Sequence, residues 1–166
     1  EASVLAQLMA NLAALDYPTQ LMQILLLVED DDVETIAGVA ALDLPPHVEV
    51  VLIPESYPRT KPKACNIGLA RATGEFCVIY DAEDRPDPAQ LRKAAAAFFT
   101  ASRRTVCVQA ELQYFNPATN ALTRWFAAEY AFNFSFMLPG LTRLRAPVPL
   151  GGTSNHFRTE ALRRLG

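Results

Sequence analysis

Two runs of acids have the residue types and spacing for chemistry: Glu29-Asp30-Asp31-Asp32 and Asp81-Ala82-Glu83-Asp84. Each follows a short apolar run, Ile24 to Val28 in the first case and Phe76 to Tyr80 in the second. Two or three acids at such places would serve as caps for the next helix. Seven carboxylates at neighbouring strand ends exceed that need, because like charges repel. A divalent cation would relieve the repulsion, and hard oxygen donors around a phosphate-bearing substrate suit Mg2+ or Mn2+. The metal reading falls first on Asp81 and Glu83 and only secondarily on the 29–32 run. A third segment, Arg59-Thr60-Lys61-Pro62-Lys63, puts two lysines at or just before a helix start. The helix dipole disfavours cations there, unless they help the helix end to hold a phosphate. No Gly-x-Gly-x-x-Gly or Walker-type loop accompanies them. Together, an acid pair, a metal and a cationic helix end describe a site for a nucleotide diphosphate.

These groups need elements to position them. Val4, Leu5, Leu8, Met9, Leu12 and Leu15 recur at helical spacing, so the first element is a helix over 3–15. The segment 23–28, continuously apolar after Gln23, reads as a strand buried on both faces. Then follow a helix over 33–42, a strand over 48–53, a helix over 63–72 and a strand over 76–80. Asp87 and Pro88 read as N-cap and first residue of a helix that buries Leu91, Ala94, Ala95, Phe98 and Phe99. A strand over 106–112 completes the series. Strict alternation predicts an α/β fold with a mostly parallel sheet and helices on both faces. After Asn116-Pro117 the pattern changes. An aromatic helix over 122–138 is apolar almost all round and is expected to stop at Pro139-Gly140. It reads either as a core helix or as one that packs against an absent partner or a membrane surface. Short strand-like pieces over 147–150 and 154–157 flank Gly151-Gly152.

Composition narrows the classes. Of the 166 residues, 51% are hydrophobic and 20% charged, which excludes a disordered chain. A net charge of −3 gives no reason to expect nucleic-acid binding. Cys65, Cys77 and Cys107 are scattered, an arrangement that suits neither a disulfide framework nor a zinc cage. No run reaches the ~20 apolar residues of a transmembrane helix.

Several segments, in order, carry a family resemblance. They are Leu-Asp-Tyr-Pro at 15–18, Leu-Leu-Leu-Val-Glu-Asp-Asp-Asp at 25–32, Arg-Thr-Lys-Pro-Lys-Ala-Cys-Asn at 59–66, Gly-Glu-Phe-Cys-Val-Ile-Tyr-Asp-Ala-Glu-Asp at 74–84 and Gly-Gly-Thr-Ser-Asn-His-Phe-Arg at 151–158. With them the chain resembles the family 2 glycosyltransferases of GT-A fold, above all bacterial membrane-anchored cell-wall and polysaccharide synthases. The resemblance implies that Asp81 and Glu83 are the Asp-x-acid pair that holds the donor diphosphate through Mg2+ or Mn2+. It implies that Glu29 and Asp31 contact the nucleoside and that Lys63 and Asn66 line the pocket near the diphosphate. It places Gly152, Thr153, Ser154 and His156 on the acceptor side. The donor it implies is a UDP-sugar, and the acceptor a saccharide or a lipid-linked sugar. Residues 1–115 would form the nucleotide-sugar part of a partial GT-A domain, and 116–166 the acceptor-side part.

The family pattern also includes a first strand ahead of the opening helix and a catalytic base in an acidic segment expected beyond Gly166. The expectation is therefore a partial catalytic domain with little activity alone, from a parent anchored at the cytoplasmic face of the bacterial inner membrane. A phosphorelay receiver-like phosphotransfer module and a non-catalytic sugar-binding domain are the alternatives from other classes.

Overall fold

The computed structural model of the chain describes residues 2–57, 59–114 and 116–165. These residues form two compact units, one of residues 1–108 with 156–166 and the other of residues 109–155.

In the first unit, β1 (Ile24–Glu29) and β2 (Val48–Ile53) form a parallel pair, with Ile24 opposite Val48 and Glu29 opposite Ile53. Successive strand side chains point to opposite faces, so β1 serves two layers. On one face, Leu26 is buried in a cluster with Leu12 and Leu15, at and beyond the end of α1 (Ala2–Ala13). On the other face Leu27 lies against Gly68 of α3 (Lys61–Arg71), where an added Cβ would come within 3.0 Å of Leu27 Cδ2. Gly68 thus lets α3 approach the strand closely, and helices cover both faces as alternation predicted. Val51 and Ile53 of β2 are 1% and 0% exposed, so truncating either to alanine is expected to cost about 2–5 kcal/mol. Between the two strands, α2 (Val33–Ala40) begins at Asp32, whose carboxylate accepts from Thr35 N at 3.0 Å and Thr35 Oγ1 at 2.7 Å.

The second sheet has the order β3-β5-β4, from β3 (Phe76–Ile79), β4 (Cys107–Gln109) and β5 (Asn155–Arg158). Arg158 N donates to Val106 O and Ala110 N to Ser154 O, so β5 runs antiparallel to β4 within an otherwise α/β design. Arg158 secures this region. Its guanidinium lies over the stacked rings of Phe76 and Phe98, 5.3 and 5.0 Å from their centres, and donates to Thr105 O and Phe98 O. Phe98 belongs to α4 (Gln90–Thr100), and α7 (Thr159–Leu165) follows directly on β5.

Several elements depart from the sequence reading. The helix α3 starts at Lys61, because Pro62 is tolerated in the first turn, where its missing N–H would be unpaired anyway. At α4 the start is later than Asp87-Pro88. Asp87 accepts Ala89 N on its side chain and Gln90 N on its carbonyl, which closes a turn before the helix. Phe98 is 2% exposed but its neighbour Phe99 is 79% exposed, since adjacent helical positions point about 100° apart. Only three residues of the expected 106–112 strand pair, and 147–150 form no strand.

The second unit is built on one long helical stretch: α5 (Ala121–Phe132), a π-helical turn (Asn133–Met137) and α6 (Leu138–Arg143). A reciprocal capping box starts it, with Asn120 Oδ1 accepting Thr123 N and Thr123 Oγ1 accepting Asn120 N. Pro139 does not end it. Proline has no N–H to give and its ring crowds the carbonyl four residues back. The wider π turn precedes it, with Leu138 N reaching five residues back to Asn133 O.

Candidate functional site

Within the first unit, the carboxyl ends of β1 and β3 and the first turn of α3 meet through side chains. Lys61 Nζ bonds Asp81 Oδ1, and Lys63 Nζ lies 3.7 Å from Glu29 Oε2. Two lysines on one helical turn therefore reach the two acidic strand ends. Lys63 also fastens the loop after β2, donating to Pro54 O at 2.6 Å and Ser56 O at 3.3 Å. The remaining acids of the first run divide. Asp31 accepts from Arg59 Nη2 at 2.5 Å, and Arg59 also meets Glu55 at 2.9 Å. These two carboxylates hold the guanidinium pKa well above its usual value. Asp32 is the helix cap already described, and its two bonds from Thr35 hold its carboxyl below the ordinary carboxylate range.

The second run is shaped as a turn. Asp81 N donates to Asp84 Oδ2 at 2.7 Å, and Asp84 N to Asp81 O at 3.0 Å. From α1, Asn11 Nδ2 donates to Asp84 O at 2.9 Å and ties the turn to the core. Asp84 thus braces the turn. The Asp81 side chain, 36% exposed, stays open to solvent at the strand end, and Glu83 is exposed beside it. Before the turn, Tyr80 packs into the core with its hydroxyl buried and without a hydrogen-bond partner. Burial pushes its pKa up.

A divalent ion fits the chemistry of this donor set. Asp81 and Glu83 offer hard oxygens, and Asp81 already holds a cation, the Lys61 ammonium. Among the described residues, no group of three or more His, Cys, Asp or Glu side chains is assembled for a metal. An ion at Asp81 would complete its shell from the diphosphate and water.

The other expected residues lie as follows. Asn66 is exposed on α3, five residues after Lys61. Cys65, near Lys61 and Asp81, has its pKa raised by burial, as does Cys77. The Cys107 thiol is pushed up to about 11, so these cysteines stay protonated near neutrality. His156 is 4% exposed in β5 with Nδ1 3.3 Å from Val108 O, a place in the sheet. Lys61 reads in the sequence only as one of two cations at the helix start, and the family resemblance gives it no individual role; its contact with Asp81 was not foreseen. Its position in the first turn of α3 was the signal.

In the second unit, the 151–155 loop is fastened from β4 outward. Gly151 N donates to Gln109 Oε1 at 2.7 Å, Gln109 Nε2 to Thr153 O at 3.2 Å and Asn155 Nδ2 to Gly151 O at 2.5 Å. Ser154 is buried with a left-handed φ of 56°. Gly152 faces open space. Beside this loop, Tyr130, Asn133, Leu138 and Gly151 help line a cavity of about 170 Å³.

This arrangement of parallel strands, helices on both faces and acidic strand ends is that of the GT-A fold, and solved structures match it. Similar to the chain is the mannosyltransferase PcManGT from Pyrobaculum calidifontis, solved with GDP-Man and Mn2+. It is 24% identical over 100% of this chain and 44% of that one, with a TM-score of 0.69. S. aureus TarS 1–349, solved with UDP-GlcNAc, is 17% identical over 97% of this chain and 43% of that one, with a TM-score of 0.56. The chain thus spans less than half the length of either. No curated protein matches it. Over residues 1–166 it matches the family described as glycosyltransferase-like family 2, and it belongs to that family.

Proposed function

We propose that this domain binds a nucleotide-diphosphate sugar at the ends of β1 and β3 and serves an inverting transfer of that sugar. The observation that carries the reading is the pair of contacts from one helical turn, Lys61 to Asp81 and Lys63 to Glu29. Family membership favours sugar transfer over the phosphorelay and non-catalytic sugar-binding alternatives.

In this reading the start of α3 and the Lys61 ammonium face the diphosphate, whose negative charge grows as the glycosidic bond breaks. Glu29 and Asp31 orient the nucleoside. Lys63 fixes the loop after β2 that borders the pocket, and Asn66 adds a neutral polar group on the same helix. Asp81 with Glu83 would hold Mg2+ or Mn2+, which when bound supplies charge to stabilise the leaving diphosphate. Gly152, Thr153, Ser154 and His156 stand as the acceptor-side stretch, with His156 in a supporting role inside β5. Inversion needs a carboxylate to take the acceptor hydroxyl proton, a role we assign to no residue of this chain.

The donor is inferred to be a UDP-hexose or UDP-N-acetylhexosamine, from the family resemblance. The related solved structures, one with GDP-Man and one with UDP-GlcNAc, support a nucleotide sugar and leave the base open. The acceptor is inferred to be a growing polysaccharide, cell-wall or lipid-linked sugar, in a parent protein held at the cytoplasmic face of the inner membrane. No described helix is itself long and apolar enough to cross a membrane. Calorimetric titration with UDP and with GDP, each in Mn2+, tests the donor reading. Tighter binding of UDP is expected; preference for GDP would reassign the base. No heat with either, from a protein shown folded by circular dichroism, would overturn the reading.

A further inference from the structure

The loop between β2 and α3 is anchored on either side of one uncovered aromatic ring. Lys63 Nζ donates to Pro54 O and Ser56 O, and the same ammonium lies 3.7 Å from Glu29 Oε2. Farther along, Arg59 Nη2 donates to Glu55 within the loop and to Asp31 beyond the end of β1. Two cations thus tie both limbs of the loop to the strand end that carries Glu29 and Asp31. Between the two ties stands Tyr57, whose side chain is 84% exposed and so adds nothing to the core.

A ring held this way has the properties of a binding platform. Tyrosine has only two side-chain torsions to order, and a backbone already fixed lowers the entropy cost of using it. What it would bind follows from its neighbours. With the diphosphate at Lys61 and Asp81, the base is the part of the ligand left for the other strand end, where Asp31 and the loop are joined. A carboxylate can accept from the edge of a base but does nothing for its flat apolar face. An aromatic ring serves that face, and every base has one. We propose, on the donor reading given above, that the ring of Tyr57 stacks on the nucleobase of the donor. Glu29 and Asp31 are then left to the polar groups of the nucleoside, and Arg59 positions the loop that presents the ring.

Calorimetric titration in Mn2+ with UDP, and with ribose 5-diphosphate as the same ligand without its base, tests this. Tyr57→Ala is expected to bind UDP about ten-fold or more weakly than wild type, and ribose 5-diphosphate with unchanged affinity. Tyr57→Phe keeps the ring and is expected to bind UDP as wild type does. The side chain is exposed, and circular dichroism checks that both variants keep the fold. Equal UDP affinity for wild type and Tyr57→Ala would overturn the role of Tyr57 and leave the donor site standing. Equal losses for the two ligands would also overturn it, by marking the ring as part of the scaffold. So would a loss in Tyr57→Phe as large as in Tyr57→Ala, which would assign the contact to the hydroxyl. A folded wild type that binds neither ligand would overturn the donor reading itself, and the stacking role with it.

Discussion

The two acid runs look alike in sequence and are used differently in the structure. At the end of β1, all but one of the four acids have a specific cationic or capping partner: Glu29 with Lys63, Asp31 with Arg59, Asp32 with Thr35. At the end of β3, Asp84 braces the turn, Asp81 meets Lys61, and Glu83 is exposed beside it. In both runs the last acid supports the backbone and the first meets a lysine of α3. The difference lies in exposure: the Lys63 and Glu29 side chains are 17% and 30% exposed, those of Lys61 and Asp81 43% and 36%. Lys63 is also tied to two loop carbonyls, and the Lys61–Asp81 pair sits at the surface, where a ligand can compete for it. Acids of equal charge are thus held by cations at different depths, the more enclosed pair at the end of β1 and the more open pair at the end of β3.

Substitutions at each kind of position should separate the two. The largest effect is expected from Asp81→Ala, which should weaken nucleotide binding in Mn2+ by about 100-fold, as loss of a metal-holding carboxylate would. Lys61→Ala should weaken it about ten-fold through the lost charge-assisted contact, whereas Lys63→Ala should act mainly on thermal stability by releasing the loop. Nucleotide titration and thermal melts on the same samples separate the two outcomes. Asp32→Ala removes a helix cap, so the melting temperature should fall by a few degrees with nucleotide affinity unchanged. The pH dependence has a definite sign. The folded-state pKa of Asp32 lies below its ordinary value of 3.8, so the cap's contribution is present above that value and lost as pH falls through the lowered one. The difference in melting temperature between wild type and Asp32→Ala should therefore shrink in acid. The smallest effect is expected at Tyr80→Phe. Deleting a buried hydroxyl without a partner should leave stability unchanged or raise it by up to about 1 kcal/mol, measurable by urea unfolding.

Much of the fold was legible because periodicity reports burial. The run Ile24 to Val28 and the spacing of Leu8, Leu12 and Leu15 announce elements that the structure contains. Boundaries were less legible, because local chemistry decides them. Pro62 fits inside the first turn of α3, Asp87 closes a turn rather than capping α4, and a π turn carries the long helix past Pro139. Phe99 is outside because it is one position away from buried Phe98. Both acidic strand ends and the cationic helix start were also legible. Which lysine meets which acid was not, since that depends on how α3 sits over the sheet, and Gly68 against Leu27 sets that approach. The long aromatic helix could be read as core or as surface. Exposure of Trp125, Phe132 and Phe136 places one side of it at the surface of its unit.

Whether the end of β3 is the donor site and Asp32 only a cap is decided by one set of calorimetric titrations. Mn2+ and UDP are titrated into wild type, Asp81→Ala and Asp32→Ala. Mn2+-dependent binding to wild type is expected, with the same affinity for Asp32→Ala and a loss of about two orders of magnitude for Asp81→Ala. Equal affinities for wild type and Asp81→Ala, or the larger loss falling on Asp32→Ala, would contradict that assignment.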